Sequence, residues 1–269
     1  MNQTFDIHRF ALVLKLDLVE RGKNYLLIAT LLTILLLSMM LPIITSSKPV
    51  GTYEALHYMA MFMVMLFASS FYTSNAMTHY ASLPTSISSL MLPASHLEKF
   101  LSAMFFNLLF IVSFLILYFQ LHYKTIDIAN AKLPSWGYKY PYIKFDLAVY
   151  FCFAYFILHS ILLLGSIYFS KRSYVKTAAF IVASVIIVFT IHLSMAHYLT
   201  HYPSKLNTLP FTSWQMWYFK DGNFTVFRGL NTFHIQFPNN IYRAIQAFIT
   251  LFILSIWYIA YLRLKEKEV

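Results

Sequence analysis

YLLIATLLTILLLSMMLPII, residues 25–44, carries no charged side chain. At about 1.5 Å of helical rise per residue it is long enough to cross a hydrocarbon core of about 30 Å. Five more windows of the same character follow, near residues 56–78, 100–121, 147–169, 177–199 and 241–261. Across all six, only Arg243 is charged, and it lies three residues into the last window, where its stem lets the guanidinium reach the interface. The fold expected is an all-α integral membrane protein, with six transmembrane helices forming one domain over residues 1–269.

Composition agrees. Of 269 residues, 59% are hydrophobic, 19% aromatic and 11% charged, and the mean hydropathy is +0.62. A water-soluble domain carries about 25% charged residues, so a soluble enzyme is excluded. Lys and Arg number 20 against 10 Asp and Glu, but the basic residues are spread over the loops and form no patch. That pattern fits membrane lipids as partners and does not fit nucleic acid. The one cysteine, Cys152, lies in an apolar run and can make neither an intrachain disulfide nor a cysteine-based zinc site.

Six spans put both termini on one side. The short basic loop around Lys171, Arg172 and Lys176 and the tail with Arg263, Lys265 and Lys267 weigh most under the positive-inside rule. Both termini are therefore expected in the cytoplasm. The start of the chain does not read as a cleaved signal peptide, because residues 5–20 mix charge with apolar side chains. Instead Ile7, Phe10, Ala11, Leu14 and Leu18 share one helical face, with His8 and Lys15 near its border. Residues 1–24 are expected to form an interfacial helix touching both lipid and protein.

Chemistry-bearing residues are few inside the spans. They hold no Asp, Glu or Lys, and their histidines are His57, His159, His192 and His197. Hydrogen bonding of His159 and His192 to neighbouring helices outweighs an ion relay. His197 and His201 are four apart, but no further ligand accompanies them, so interfacial histidines outweigh a metal pair. His159 and Ser160 are adjacent, point about 100° apart on a helix and cannot form a nucleophile–base pair alone. The Gly22-Lys23 pair lacks the rest of a phosphate-binding loop. No cofactor or metal is expected, and any ATP-driven work must use a partner's nucleotide site. Ser69, Ser70, Thr73, Asn75 and Asn107 offer polar groups that could line a wetter path.

Outside the spans, Leu92-Pro93-Ala94-Ser95-His96-Leu97-Glu98-Lys99-Phe100 is the most specific stretch. Pro93 disfavours a continuing helix before it. Ser95 followed by Glu98 matches the capping box, in which each residue satisfies the other's backbone N–H. With the Pro84-Thr85 start upstream, the loop at 79–99 reads as a short cytoplasmic helix feeding into span three. On the far side, Lys132 to Phe145 is rich in Pro and Tyr. Asp221-Gly222 lies between aromatic flanks in Trp214 to Phe227, which reads as a short hairpin with a two-residue turn. Trp136, Trp214 and Trp217 suit an aromatic belt.

Taken together, these features resemble the type-2 ABC transporter permeases. The features are the six spans, the interfacial N-terminal helix, the L-P-x-S-x-x-E-K segment between spans two and three, and the long outer segment, 200–240, before span six. The likeness is closest to compact permease-like proteins of the inner membrane of Bacteroidetes-type bacteria, in which a segment like Leu92 to Phe100 recurs. The resemblance implies that this segment is a coupling helix docking into an ABC ATPase subunit, with Leu92, Pro93, Ser95, Glu98 and Lys99 matching the motif. His96 stands where the family often has Arg, and the hairpin replaces short re-entrant helices. It further implies a second permease copy or paralogue and export of an amphiphilic or hydrophobic cargo. A non-transporting membrane scaffold or assembly factor is the alternative, and it predicts no ATPase partner.

Overall fold

The computed structural model describes residues 4–45, 50–81, 93–134, 137–169, 172–200, 206–208, 214–219, 230–235 and 238–267. Six helices are long and apolar enough to cross a membrane: Ile7–Thr45, Gly51–Ser74, His96–Lys132, Phe145–Tyr168, Ser173–Met195 and Asn239–Lys267. The chain is a multi-pass membrane protein. It divides into two compact units, residues 1–177 with 255–269, and residues 178–254.

In the first unit, α1 (Ile7–Met40) starts at Asp6, whose carboxylate accepts the His8 amide at 2.7 Å. That bond holds the Asp6 carboxyl below its ordinary value. The helix then runs unbroken for 34 residues. It stops where Pro42 cannot donate a backbone hydrogen bond, and Pro42 instead opens a single turn, α2 (Pro42–Thr45). Helix thus occupies Ile7 onward in the segment expected to be helical, and it is continuous with span one. On its apolar face Ile7, Ala11 and Leu18 are exposed and Phe10 and Leu14 half-buried, while Val13 and Asp17 beside it are buried.

Span two is built from α3 (Gly51–Met59), a nine-residue π-helical segment (Ala60–Ala68) and α4 (Ser69–Ser74), followed by one turn, α5 (Thr78–Ala81). Where the wider π ladder returns to α, carbonyls are left for other donors. Hydroxyls take them: Ser69 Oγ donates to the Met65 carbonyl, Ser70 Oγ to Phe67 at 2.6 Å, and Tyr174 to Phe67 at 3.1 Å.

Span three is α6 (His96–Lys132), 37 residues and about 55 Å long. It overshoots a hydrocarbon core of about 30 Å. The helix continues eleven residues past the apolar window at 100–121, to Lys132. Thr125, Asp127 and Asn130 are polar but compatible with helix, and termination waits for Pro134, which forces Leu133 into extended backbone (φ −85°, ψ 147°). The chain then returns as a strap, residues 137–144, over the ends of α1, α3 and α6. Asn130 and Tyr140 exchange two backbone-like bonds at 2.8 and 3.0 Å, and Tyr140 Oη accepts the Val50 amide at 2.9 Å. Tyr138 donates to Glu54 at 2.8 Å and Tyr142 to Asp127 at 2.5 Å. Each carboxylate holds its phenol above the ordinary tyrosine value.

Span four is α7 (Phe145–Tyr168), and α8 (Ser173–Thr200) begins after Arg172, which has φ 52°. Ser173 Oγ caps the Gly165 carbonyl at 2.9 Å. At the end of α9 (Asn239–Lys267), Lys267 Nζ donates to the Ile167 carbonyl at 2.7 Å and to Tyr80 at 3.3 Å. Phe100 and Tyr261 meet edge to face, 5.7 Å apart. The starts of α1 and α6 and the ends of α7 and α9 thus gather at one end of the unit. The core at the other end is built on Leu36, Met40, Met61, Ile111, Phe114 and Tyr118.

The second unit contains most of α8, the first half of α9 and a three-stranded antiparallel sheet in the order β1 (Leu206–Thr208), β2 (Trp214–Phe219), β3 (Leu230–Ile235). The register pairs Trp214 with Ile235 and Phe219 with Leu230. The expected hairpin at 214–227 is therefore corrected in its partner strand: β2 pairs with Leu230–Ile235. The Asp221-Gly222 turn lies outside the described residues, as do Trp136 and His201.

Candidate functional site

The first turn of α6 is where the sequence concentrated its site residues. Ser95 is the N-cap, with φ −68° and ψ 154°. Its hydroxyl accepts the Glu98 amide at 3.2 Å, and Glu98 Oε2 accepts the Ser95 amide at 2.8 Å, which completes the capping box. The helix so started continues without a break into span three.

Glu98 does more than cap. Its other oxygen, Oε1, accepts the Asp6 amide at 2.7 Å and the Arg9 guanidinium at 3.1 Å, which binds α6 to the start of α1. One turn on, Ser102 donates to Asp17 Oδ2 at 2.6 Å, and Arg21 lies 3.8 Å from the same carboxylate. Each helix thus lends one carboxylate to the other. Ser95, Glu98 and Ser102 recur at helical spacing, so one face of α6 is committed to α1.

That commitment sorts the expected coupling residues. Glu98 is 0% and Lys99 1% exposed, so neither offers a charge to a docking partner. Ser95 is buried as well. Pro93 and Leu97 are exposed and His96 is half-buried, which makes them the outward surface of this turn. Leu92 lies outside the described residues. Asp6, Arg9, Asp17 and Ser102 were not singled out from sequence, and only the i to i+3 capping signal was available locally.

Two further polar clusters join the spans. In one, His159 on α7 meets Ser69 Oγ through Nε2 at 3.2 Å and Thr73 Oγ1 through Nδ1 at 2.5 Å. Thr73 in turn donates to Asn107 Oδ1 on α6 at 2.8 Å. His159 is therefore hydrogen-bonded to its neighbouring helix, and the polar groups expected to line a path are turned onto one another. Asn75 is exposed and bonds back to Phe71 on its own helix. His159→Phe should lower stability by about 1 kcal/mol, the net worth of a lost hydrogen bond, since Thr73 and Ser69 keep their bonds to Asn107 and Met65, read as a lower thermal unfolding midpoint in mild detergent.

In the other cluster, His57 Nδ1 lies 3.1 Å from His122 Nδ1, and His57 Nε2 lies 3.2 Å from the Met40 carbonyl. His122 Nε2 accepts the Ile143 amide at 3.1 Å. His122 falls just past the apolar window of span three, and that position hid it in the sequence. Its i, i+4 partner Tyr118, which donates to the His57 carbonyl at 3.3 Å, was the available signal.

Among the described residues no group of three or more His, Cys, Asp or Glu is placed to hold a metal ion. His192 lies half-buried on α8. No family model, curated protein or solved structure matches this chain.

Proposed function

We propose that this chain is the membrane-spanning permease subunit of an ABC-type exporter, paired with a second permease copy or paralogue and driven by a separate ATPase subunit. One observation carries the reading. The capped turn at Ser95 is continuous with a 37-residue helix, and Glu98 locks that turn to α1 through Asp6 and Arg9. A push delivered at Pro93 and Leu97 would therefore move spans one and three together, which is what transmission from an ATPase beneath the membrane requires.

In this reading Glu98 is a positioning residue inside the permease, and Pro93, His96 and Leu97 meet the ATPase. The start of α1 and the end of α9, at the same end as this turn, lie on the cytoplasmic side of a bacterial inner-membrane protein. The cargo is amphiphilic or hydrophobic, because the spans carry almost no fixed charge.

The test is co-purification from native membranes in mild detergent, comparing the unmodified chain with Leu97→Glu. The expected result is an ABC ATPase captured by the former and depleted at least about tenfold by the latter, the effect of burying a charge in an apolar contact. Leu97 is exposed, so the variant keeps the capping box and the Arg9 contact, and its unfolding midpoint should not move. A well-folded sample that captures no ATPase overturns the transporter reading in favour of a scaffold.

A further inference from the structure

We infer that His57 and His122 form a proton-sensitive latch that holds the strap at 137–144 and the start of span two onto α6, and that acidification opens it. The inference is independent of the transport reading and rests on hydrogen-bond geometry.

The pair has only one consistent proton arrangement. The Ile143 amide can only donate, so His122 Nε2 is an acceptor and His122 carries its proton on Nδ1. That proton is directed at His57 Nδ1, 3.1 Å away, which must then accept. His57 consequently carries its proton on Nε2 and donates it to the Met40 carbonyl, 3.2 Å away. The result is a one-way chain, Ile143 N–H to His122 to His57 to the Met40 carbonyl. It passes through four segments: the strap, α6, α3 and the end of α1.

All four ring nitrogens are in use, and both rings are neutral. An added proton has two places to go. On His57 Nδ1 it would face the His122 N–H at hydrogen-bonding distance, and on His122 Nε2 it would face the Ile143 N–H. Either replaces an attraction with two opposed donors inside a buried site, since His57 and His122 are each 2% exposed. The site can bind the proton only by opening.

Among the described residues, the carboxylates on the same helices are already bonded to tyrosines. On α3, Glu54 lies one turn before His57 and is occupied by Tyr138, and Tyr58 follows His57. On α6, Tyr118 gives its hydroxyl to the His57 carbonyl and stacks on His122, and Tyr123 lies with its ring 5.4 Å from His122. Lys124 and Asp127 follow on the same helix, with Asp127 held by Tyr142. The strap brings Tyr140, engaged with Asn130 and Val50. From α1 comes the Met40 carbonyl, and α7 meets the group through Phe151 against Tyr118.

The latch adds to the Tyr138, Tyr140 and Tyr142 bonds of the strap a continuous link from the strap through α6 and α3 to the end of α1. Released, it frees the Ile143 amide and the Met40 carbonyl together. The consequence is a strap that stays closed at neutral pH and loosens in acid.

The test is hydrogen–deuterium exchange of the full-length protein in lipid nanodiscs, from about pH 7.5 to about pH 4.5, with times scaled for the intrinsic exchange rate. Peptides covering 137–144 and 50–57 are expected to lose about tenfold or more of their protection on acidification. In His122→Gln, whose carbonyl can still accept the Ile143 amide but cannot titrate, protection should stay flat. Protection that is independent of pH in the unmodified chain, or equally dependent in the variant, overturns the latch.

Nitrogen-15 histidine spectra of the unmodified chain provide a readout that needs no variant. Of ten histidines, two should show opposite neutral tautomers at neutral pH and charge together as the strap opens. A pair already charged at neutral pH, or one that charges while protection persists, also overturns the proposal.

Discussion

Glu98→Ala should lower the unfolding free energy by about 3 kcal/mol or more, from a cap of about 0.5–2 kcal/mol and charged hydrogen bonds of about 1.5–3 kcal/mol each. The side chain is fully enclosed, and four donors lose their acceptor or their geometry when it goes. The Ser95 amide loses Oε2, the Asp6 amide and the Arg9 guanidinium lose Oε1, and the Ser95–Glu98 turn loses half of its reciprocal pair. Arg9 is 33% exposed and can turn to water, so its share is small. Arg9→Ala alone is therefore expected to cost only about 0.2–1 kcal/mol, as a partly solvated ion pair does. Glu98→Gln should fall between the two, because one carbonyl oxygen remains as an acceptor while the amide opposes a donor. Denaturation in mixed micelles reads all three midpoints. A Glu98→Ala loss no larger than that of Arg9→Ala would mean that the carboxylate does not join α1 to α6.

Gly165→Ala should also destabilise, by up to about 3 kcal/mol for overpacking a closed contact. A Cβ at this position would lie 2.0 Å from Thr177 Oγ1, 2.7 Å from its Cγ2 and 2.9 Å from its Cβ. Replacing a helical glycine by alanine normally gains about 1 kcal/mol, so the sign depends on whether Thr177 can yield. It cannot yield easily: a β-branched side chain in a helix has one or two allowed rotamers, and Oγ1 is bonded to the Ser173 carbonyl at 2.8 Å. The helices α7 and α8 must move apart, and doing so also breaks the Ser173 cap on Gly165. Thr177→Gly in the alanine background clears all three atoms and should restore most of the loss. If the double variant is no more stable than Gly165→Ala, the clash is not what the substitution costs.

The spans were legible because a residue's need to leave water is a property of its own side chain. Each apolar window lies largely inside a helix long enough to cross a bilayer. Hydropathy marks where hydrocarbon begins and ends, however, and says nothing of where a helix stops. Hence α6 continues to Lys132, past the window that ended at 121, and α1 runs from Ile7 through the window that began at 25. Helix starts written in local chemistry were legible too: Ser95 and Glu98 are three residues apart and need no other partner to form a cap.

What lay beyond the sequence is everything that depends on a partner far along the chain. The same carboxylate that caps α6 reaches residues about ninety positions away, at Asp6 and Arg9. His57 meets His122, Thr73 meets both His159 and Asn107, and Gly165 meets Thr177, all across separate helices. Local composition determined that the chain enters the membrane and where its helices can start. Tertiary packing decided which faces are spent inside the protein, because burial and pairing belong to two residues at once. It therefore left Pro93 and Leu97 outside and drew Glu98 and Lys99 within.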